Sequence, residues 1–248
     1  MIENFHIGGD PEAEKGRVPQ EELDRRVAEH GLWLQSAGQD GQKFDMPDAN
    51  LIYGGFLEAD LRQANLARVC LFNANLRECD LSDANLEQAN LEGASMVNVN
   101  LSGASLHGAN LDKVVIPGVN FENADLAGVR LRYSNLLSAN IYHTQLNGAD
   151  LTDANLAGGS ARESSLDNAN LTDAKLMLVN FSDTSFRGAD FSRAVIFGAI
   201  FDGADLAGAD LSAALGLTDE QLAIAYGDRE TRLPAAFTGH VMTEKTRN

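Results

Sequence analysis

The chain has 248 residues, of which 44% are hydrophobic and 22% charged, and its formal net charge is −17. That acidic balance excludes binding of nucleic acid or of an anionic membrane by simple electrostatics. Two cysteines exclude a disulfide framework, and no apolar run approaches the length of a membrane span.

Residues 1–17 are polar and of mixed charge, with Gly8-Gly9, and read as a disordered start without a signal-peptide pattern. The chain is therefore expected to be soluble and cytoplasmic. Pro19 opens a helix expected to run to about Leu34, with Glu21, Glu22 and Asp24 suiting its N-terminal dipole. Leu23, Val27 and Leu34 fall near one face, and Gly31 is expected to end or kink the helix. With the glycine-bearing run Trp33–Gly41, this element reads as an N-terminal cap, so residues 1–43 comprise the disordered start and this helical cap. Trp33 is a capping core residue in this reading rather than a ligand platform.

From residue 44 to 213 one five-residue unit recurs. Its apolar centre returns in steps of five from Leu51 through Phe56 and Leu61 to Leu206 and Leu211, giving 33 centres. Two residues earlier stands a small side chain (Ala49, Gly54, Ala59), and between the two a polar one, usually Asn or Asp (Asn50, Asp60, Asn65). A period of five is neither helical nor that of a strand. It suits a chain that turns a corner in every unit and stacks its coils at roughly 4.8 Å, pairing backbone groups from coil to coil. Outward residues sort at a spacing of twenty. Leu57, Arg77, Val97, Pro117, Leu137, Ala157, Met177 and Phe197 form one column, and only Arg77 in it is charged. Four units per coil follow, and about 8.5 coils would make a rod about 41 Å long. Phe181, Phe186, Phe191 and Phe201 are expected to fill the last coils, and Ile141 and Phe181 to fill space left by Ala161.

The units Ala59-Asp60-Leu61, Ala84-Asn85-Leu86, Ala149-Asp150-Leu151 and Ala209-Asp210-Leu211 resemble the A(D/N)LXX unit of the pentapeptide-repeat family. The resemblance implies an all-β solenoid: a right-handed quadrilateral parallel β-helix of about eight coils, with short helical caps at both termini. Residues 214–248 are similar to the C-terminal tails of other members. Thr218 is placed there as an N-cap, with Asp219 and Glu220 in the first turn, Gly227 as the helix stop, and a frayed end from Ala236.

No catalytic constellation emerges from the five scattered histidines, and no phosphate-binding glycine motif appears. The pairs Asp80/Asp83, Asp150/Asp153 and Asp202/Asp205 follow from the repeat itself more simply than from a cation site, so no metal and no cofactor is expected. Two faces stand out. The candidate acidic face carries Asp60, Asp80, Asp83, Glu122, Glu163, Asp183 and Asp202 against Arg62 and Arg162. The candidate apolar partner face carries Leu57, Val97, Leu137, Met177 and Phe197, with Val115 and Val195 beside it. An exposed apolar stripe predicts contact with a protein partner or a second copy of the chain, forming a homodimer, unless the protein's own termini lie over it. The first functional reading is a non-enzymatic scaffold for protein–protein contact. The second, implied by the resemblance, is a DNA mimic that binds DNA gyrase, as quinolone-resistance members do. Duplex DNA of that length carries roughly 24 charges at one per 1.7 Å, whereas the repeat region holds 20 acids and 10 bases.

Overall fold

The computed structural model describes residues 15–238, 240 and 242–244. The disordered start expected for 1–17 and the frayed end expected from Ala236 therefore lie partly outside the described residues.

Every fifth residue from Asp48 to Gly208 has a positive φ, between 53° and 70°. In most units the amide three residues after the apolar centre bonds that centre's carbonyl and closes a turn, as Ala64 N–H does with the Leu61 carbonyl at 3.0 Å. A positive φ at the third turn residue is the type II geometry. Glycine fits there without strain, yet 22 of these 33 corners hold other residues, among them Tyr53, Tyr133 and Leu178. At many corners the repeat's Asn or Asp helps to hold the turn, although Arg130 and Lys175 stand in its place before the Tyr133 and Leu178 corners. The Asn or Asp Oδ1 accepts the amide two residues on, as Asn85 does from Glu87 at 3.0 Å and Asp190 from Ser192 at 2.8 Å. This is an Asx-turn, and it satisfies an N–H that the coil-to-coil pairing leaves over.

Between corners each side is too short for a strand, so pairing consists of isolated parallel bridges. They join residues twenty apart without a slip from Asp45↔Asn65 to Val195↔Leu215. Four columns of bridges give the four sides. The coil thus persists two residues beyond the expected end at 213. Nearly every central N–H reaches the following coil, as Leu61 N to the Asp80 carbonyl at 2.8 Å, and nearly every polar-position N–H reaches back, as Asp80 N to the Ala59 carbonyl at 3.0 Å. The apolar centres and the small residues fill the interior. At three of the Thr or Ser small positions the hydroxyl donates to a carbonyl of the previous coil, whereas Ser134 bonds Leu131 in its own turn. Thr144 bonds Phe121 at 2.9 Å, Ser164 bonds Ile141 at 2.5 Å and Thr184 bonds Ala161 at 2.6 Å. Cys79 does the same with its thiol, which burial pushes up to about 12.

The N-terminal helix α1 (Gln20–Gln35) is four turns long rather than short, and it passes through Gly31 without stopping. Leu23 is its anchor, 1% exposed, in a notch where Gly54 has no side chain: a Cβ there would stand 3.3 Å from Leu23 Cδ1. Val27 packs at the edge of the core, but Leu32 is half exposed. α1 closes the upper edge of the coil. Val18 N–H bonds the Asn50 carbonyl at 3.0 Å. The Gln20 side-chain amide bonds both backbone groups of Gly55, at 2.7 and 2.9 Å, and so replaces a missing coil there. His30, fully buried, lies 3.0 Å from the Arg62 carbonyl through Nε2 and accepts the Phe44 amide on Nδ1 at 3.0 Å. Trp33 stacks on His30 at 5.5 Å, within the cap.

At the lower edge Thr218 caps α2 (Asp219–Ala223) through a capping box with Gln221. The helix ends at Ala223, before Gly227, because the chain leaves it to pair with the coil: Tyr226 bridges Asp205 and Arg232 bridges Asp210. The Gln221 side chain donates to the Ile196 and Ala199 carbonyls at 3.2 and 2.8 Å. The described tail is bound rather than frayed. Thr243 bridges Tyr226, and Met242 is buried beside Gly227. Both edges are covered, which suppresses edge-to-edge association.

Candidate interaction surfaces

The corners carry the outward chemistry. Leu57, Val97, Leu137, Met177 and Phe197 do lie along one corner, since successive corners are tied by bonds such as Gly158 N to the Met177 carbonyl at 2.9 Å and Leu178 N to the Phe197 carbonyl at 3.0 Å. They do not make one continuous stripe. Exposed Arg77 separates Leu57 from half-buried Val97, and Leu57 stands instead beside α1 in a groove of about 390 Å³ with Asp24, Val27 and Gly31.

The contiguous apolar surface lies at the C-terminal end of this corner. Met177, Phe197 and Leu178 are 38%, 57% and 70% exposed. Ile200 and Leu215, also exposed, flank them, with half-buried Val195. Two glycines shape it. A Cβ on Gly198 would stand 2.8 Å from Leu178 Cδ2, and one on Gly216 would stand 2.5 Å from Phe197 Cδ1. Each side chain therefore lies flat over bare backbone of the following corner. Leu178 holds φ +60°, a costly conformation for a leucine, while exposing most of its side chain. Sequence reasoning missed Leu178, Ile200 and Leu215. The twenty-residue column that found Met177 and Phe197 omits the next corner position and the adjoining sides.

The acidic residues share a face, but several are engaged. Asp60 pairs with Arg62 at 2.7 Å, and that hydrogen bond holds its carboxyl below the usual range. Asp80 accepts Ser82 Oγ at 2.7 Å and Asn100 Nδ2 at 3.1 Å. Glu163 accepts the Tyr142 hydroxyl at 3.1 Å and lies 3.9 Å from Arg162. Glu122 accepts Asn140 Nδ2 at 3.4 Å. Asp83, Asp183 and Asp202 stand at exposed corners of the same face. Among the described residues no group of three or more His, Cys, Asp or Glu stands where it could hold a metal ion. Asp205 is no outward partner for Asp202: it is 4% exposed and paired with Arg187 at 2.5 Å.

One ionic cluster had no sequence signal beyond its charges. Asp112 is 3% exposed and binds both Arg130 and Arg132, accepting from Arg132 Nη2 at 2.6 Å and from the Arg132 amide at 3.1 Å. Burial pushes its carboxyl up, but the hydrogen bonds from Arg132 and Arg130 outweigh this and hold it below the usual carboxylate range. Asp112→Ala is expected to cost about 1–3 kcal/mol in urea unfolding at pH 7, because the Arg132 amide loses its acceptor. A carboxylate lowered on folding stabilises above its unfolded pKa and ceases to do so as pH falls through its folded value. The gap between wild type and variant should therefore close below about pH 4, the unfolded Asp value.

A family model for pentapeptide repeats matches eight copies over residues 79–115, 118–153, 149–176 and 174–212. No curated protein sequence matches. Among solved structures, HetL, a pentapeptide repeat protein involved in heterocyst differentiation regulation from the cyanobacterium Nostoc sp. strain PCC 7120, is 25% identical, with 85% of this chain and 97% of that one covered and a TM-score of 0.41. A pentapeptide repeat protein from the Arabidopsis thaliana thylakoid lumen is 26% identical over 50% of this chain and 81% of its own, with a TM-score of 0.38. QnrB1, a plasmid-mediated fluoroquinolone resistance protein, is 18% identical over 70% and 88%, with a TM-score of 0.36. Scores at this level carry no functional weight, but the matched repeats span more than half of the sequence. The chain belongs to the pentapeptide-repeat family.

Proposed function

We propose that this pentapeptide-repeat chain is a non-enzymatic cytoplasmic scaffold, a right-handed rod that binds a protein partner through its outer surface. The observation that carries the reading is the exposed apolar corner of Met177, Leu178 and Phe197 with Ile200 and Leu215 beside it. Contiguous apolar surface on an otherwise acidic rod marks a contact site. A second copy of the chain is one occupant for that surface. In an affinity capture from the native source, Met177→Asp with Phe197→Asp is expected to lose the partner, while Leu57→Asp, at the other end of the corner, retains it. Equal capture by all three proteins would sink the reading.

The acidic face favours a second reading, a DNA mimic directed at DNA gyrase. The pairing of Asp60 with Arg62 thins its charge further. Purified protein that inhibits gyrase supercoiling, or protects the enzyme against a quinolone, would move the assignment to the acidic face. An unaffected gyrase would leave the apolar corner as the site.

A further inference from the structure

The cap over the upper edge of the coil is joined to it by one titratable group in an unusual setting. His30 is 0% exposed, and both of its ring nitrogens are committed to backbone groups of opposite polarity. Nδ1 accepts the Phe44 N–H at 3.0 Å. Nε2 must then carry the proton and donate it to the Arg62 carbonyl, also at 3.0 Å. Only this neutral tautomer satisfies both contacts. A second proton would place an N–H against the N–H of Phe44 and leave a charge in a buried site, with Trp33 stacked at 5.5 Å on one side and Phe44 edge-on at 6.3 Å.

We propose that His30 is a pH-sensitive latch: its protonation releases α1 from the coil and uncovers the edge at Gly55 and Arg62. The charged groups around it do not supply a compensating partner. From the coil, Asp60 favours the charged ring, but Asp60 is bound to Arg62 at 2.7 Å, and Arg62 opposes it. From the segment after α1, Lys43 opposes it as well. On α1 itself, Arg26 is paired with Glu22 at 2.7 Å, and Glu29, the preceding residue, is half-buried with its carbonyl accepting Gln42 N. Burial dominates and lowers the His30 pKa below its ordinary 6.5. The released state binds the proton more tightly than the docked state does. Docking is therefore fully present above about pH 6.5 and weakens below it, by up to tenfold per pH unit until the docked ring itself titrates. Carboxylate effects fall in a separate, lower window, below about pH 4.5.

At Gly55 and Arg62 the described edge is closed by the side chains of Gln20 and His30. Among the described residues, the groups that bond Gly55 from above are those of the Gln20 amide, so loss of α1 frees both of its backbone groups. The test is residue-resolved amide exchange by NMR on the full chain between pH 7.5 and 5, corrected for intrinsic rates. The Phe44 and Gly55 amides are expected to lose protection, up to tenfold per pH unit below 6.5, while mid-coil amides such as Leu111 and Leu131 keep theirs. His30→Gln, which offers one acceptor and one donor and does not titrate, should hold Phe44 and Gly55 protected over the same range. Wild-type protection that stays flat to pH 5, or loss that the Gln variant repeats in the same window, would overturn the proposal. Should the variant prove undocked at pH 7.5, the wild-type ring decides. His30 resonances that titrate below 6.5 together with the Phe44 amide support the latch, and titration at or above 6.5 with Phe44 still protected refutes it.

Discussion

Phe186→Ala is expected to lower the free energy of unfolding by about 3–5 kcal/mol, the range for truncating a fully buried phenylalanine. Phe186 has no exposure and sits at the centre of the four-phenylalanine cluster of the last coils. Its ring meets Phe181 edge-on at 5.0 Å, Phe191 at 5.1 Å and Phe201 at 6.1 Å. The hole left behind cannot close by collapse. Bridges Ser165↔Ser185 and Ser185↔Asp205 hold the backbone beside it at the fixed spacing of the coils. The check is urea unfolding followed by far-UV circular dichroism. A midpoint shift worth less than about 1 kcal/mol would mean that the terminal coils relax around the cavity. Each coil contacts only its neighbours, so stability is close to one-dimensional. A lowered denaturant dependence in the variant would show the last coils unfolding apart from the rest.

Gly41→Ala is expected to be nearly as damaging, by a different route. Gly41 has φ +73°, and a Cβ there would stand 2.2 Å from the Glu29 carbonyl oxygen and 2.8 Å from both Leu32 Cβ and the Trp33 nitrogen. The left-handed backbone alone costs a non-glycine residue roughly 1–2 kcal/mol. The overlap is with the backbone of α1, which cannot step aside without leaving the coil. The expected result is an undocked cap on an intact coil, at a total cost of about 3 kcal/mol or more. Trp33 is the single tryptophan of the chain and stacks on His30, so its emission should shift to that of a solvated indole while the coil's circular dichroism persists. Gly31→Ala is the control. It lies inside α1 with nothing within 4 Å of the new Cβ, and it should stabilise by about 0.5–1 kcal/mol. Native Trp33 emission in Gly41→Ala would refute the account of the cap.

The legible part of this protein is what the repeat encodes. A centre such as Leu111 and a small residue such as Ala109 were readable as interior because inward positions recur every five residues, and both are fully buried. The twenty-residue coil was readable from the outward column of Leu57 to Phe197, and the bridges keep that spacing. The aromatic filling by Phe181, Phe186, Phe191 and Phe201 was readable for the same reason. The helix end near Leu34 was readable, since α1 closes at Gln35, and the alternative stop or kink at Gly31 is passed over. The frayed end expected from Ala236 fails where the tail is described, because Thr243 pairs with Tyr226, a contact that local propensity does not show.

By itself, then, the sequence determined the coil: its period, its interior, its four sides and its acidic exterior. Each of these depends on contacts at one constant separation, which repetition writes into every unit. Only the tertiary structure decided the caps and the surface. Gln20 reaches Gly55 across 35 residues, His30 reaches Arg62 across 32, and Gln221 reaches Ile196 across 25. Such separations belong to no period, and a side-chain amide or imidazole standing in for backbone leaves no pattern to find. The apolar corner of Met177, Leu178 and Phe197 was decided in the same way. Its extent depends on side chains lying over Gly198 and Gly216 in neighbouring coils, a matter of three-dimensional contact and not of order along the chain.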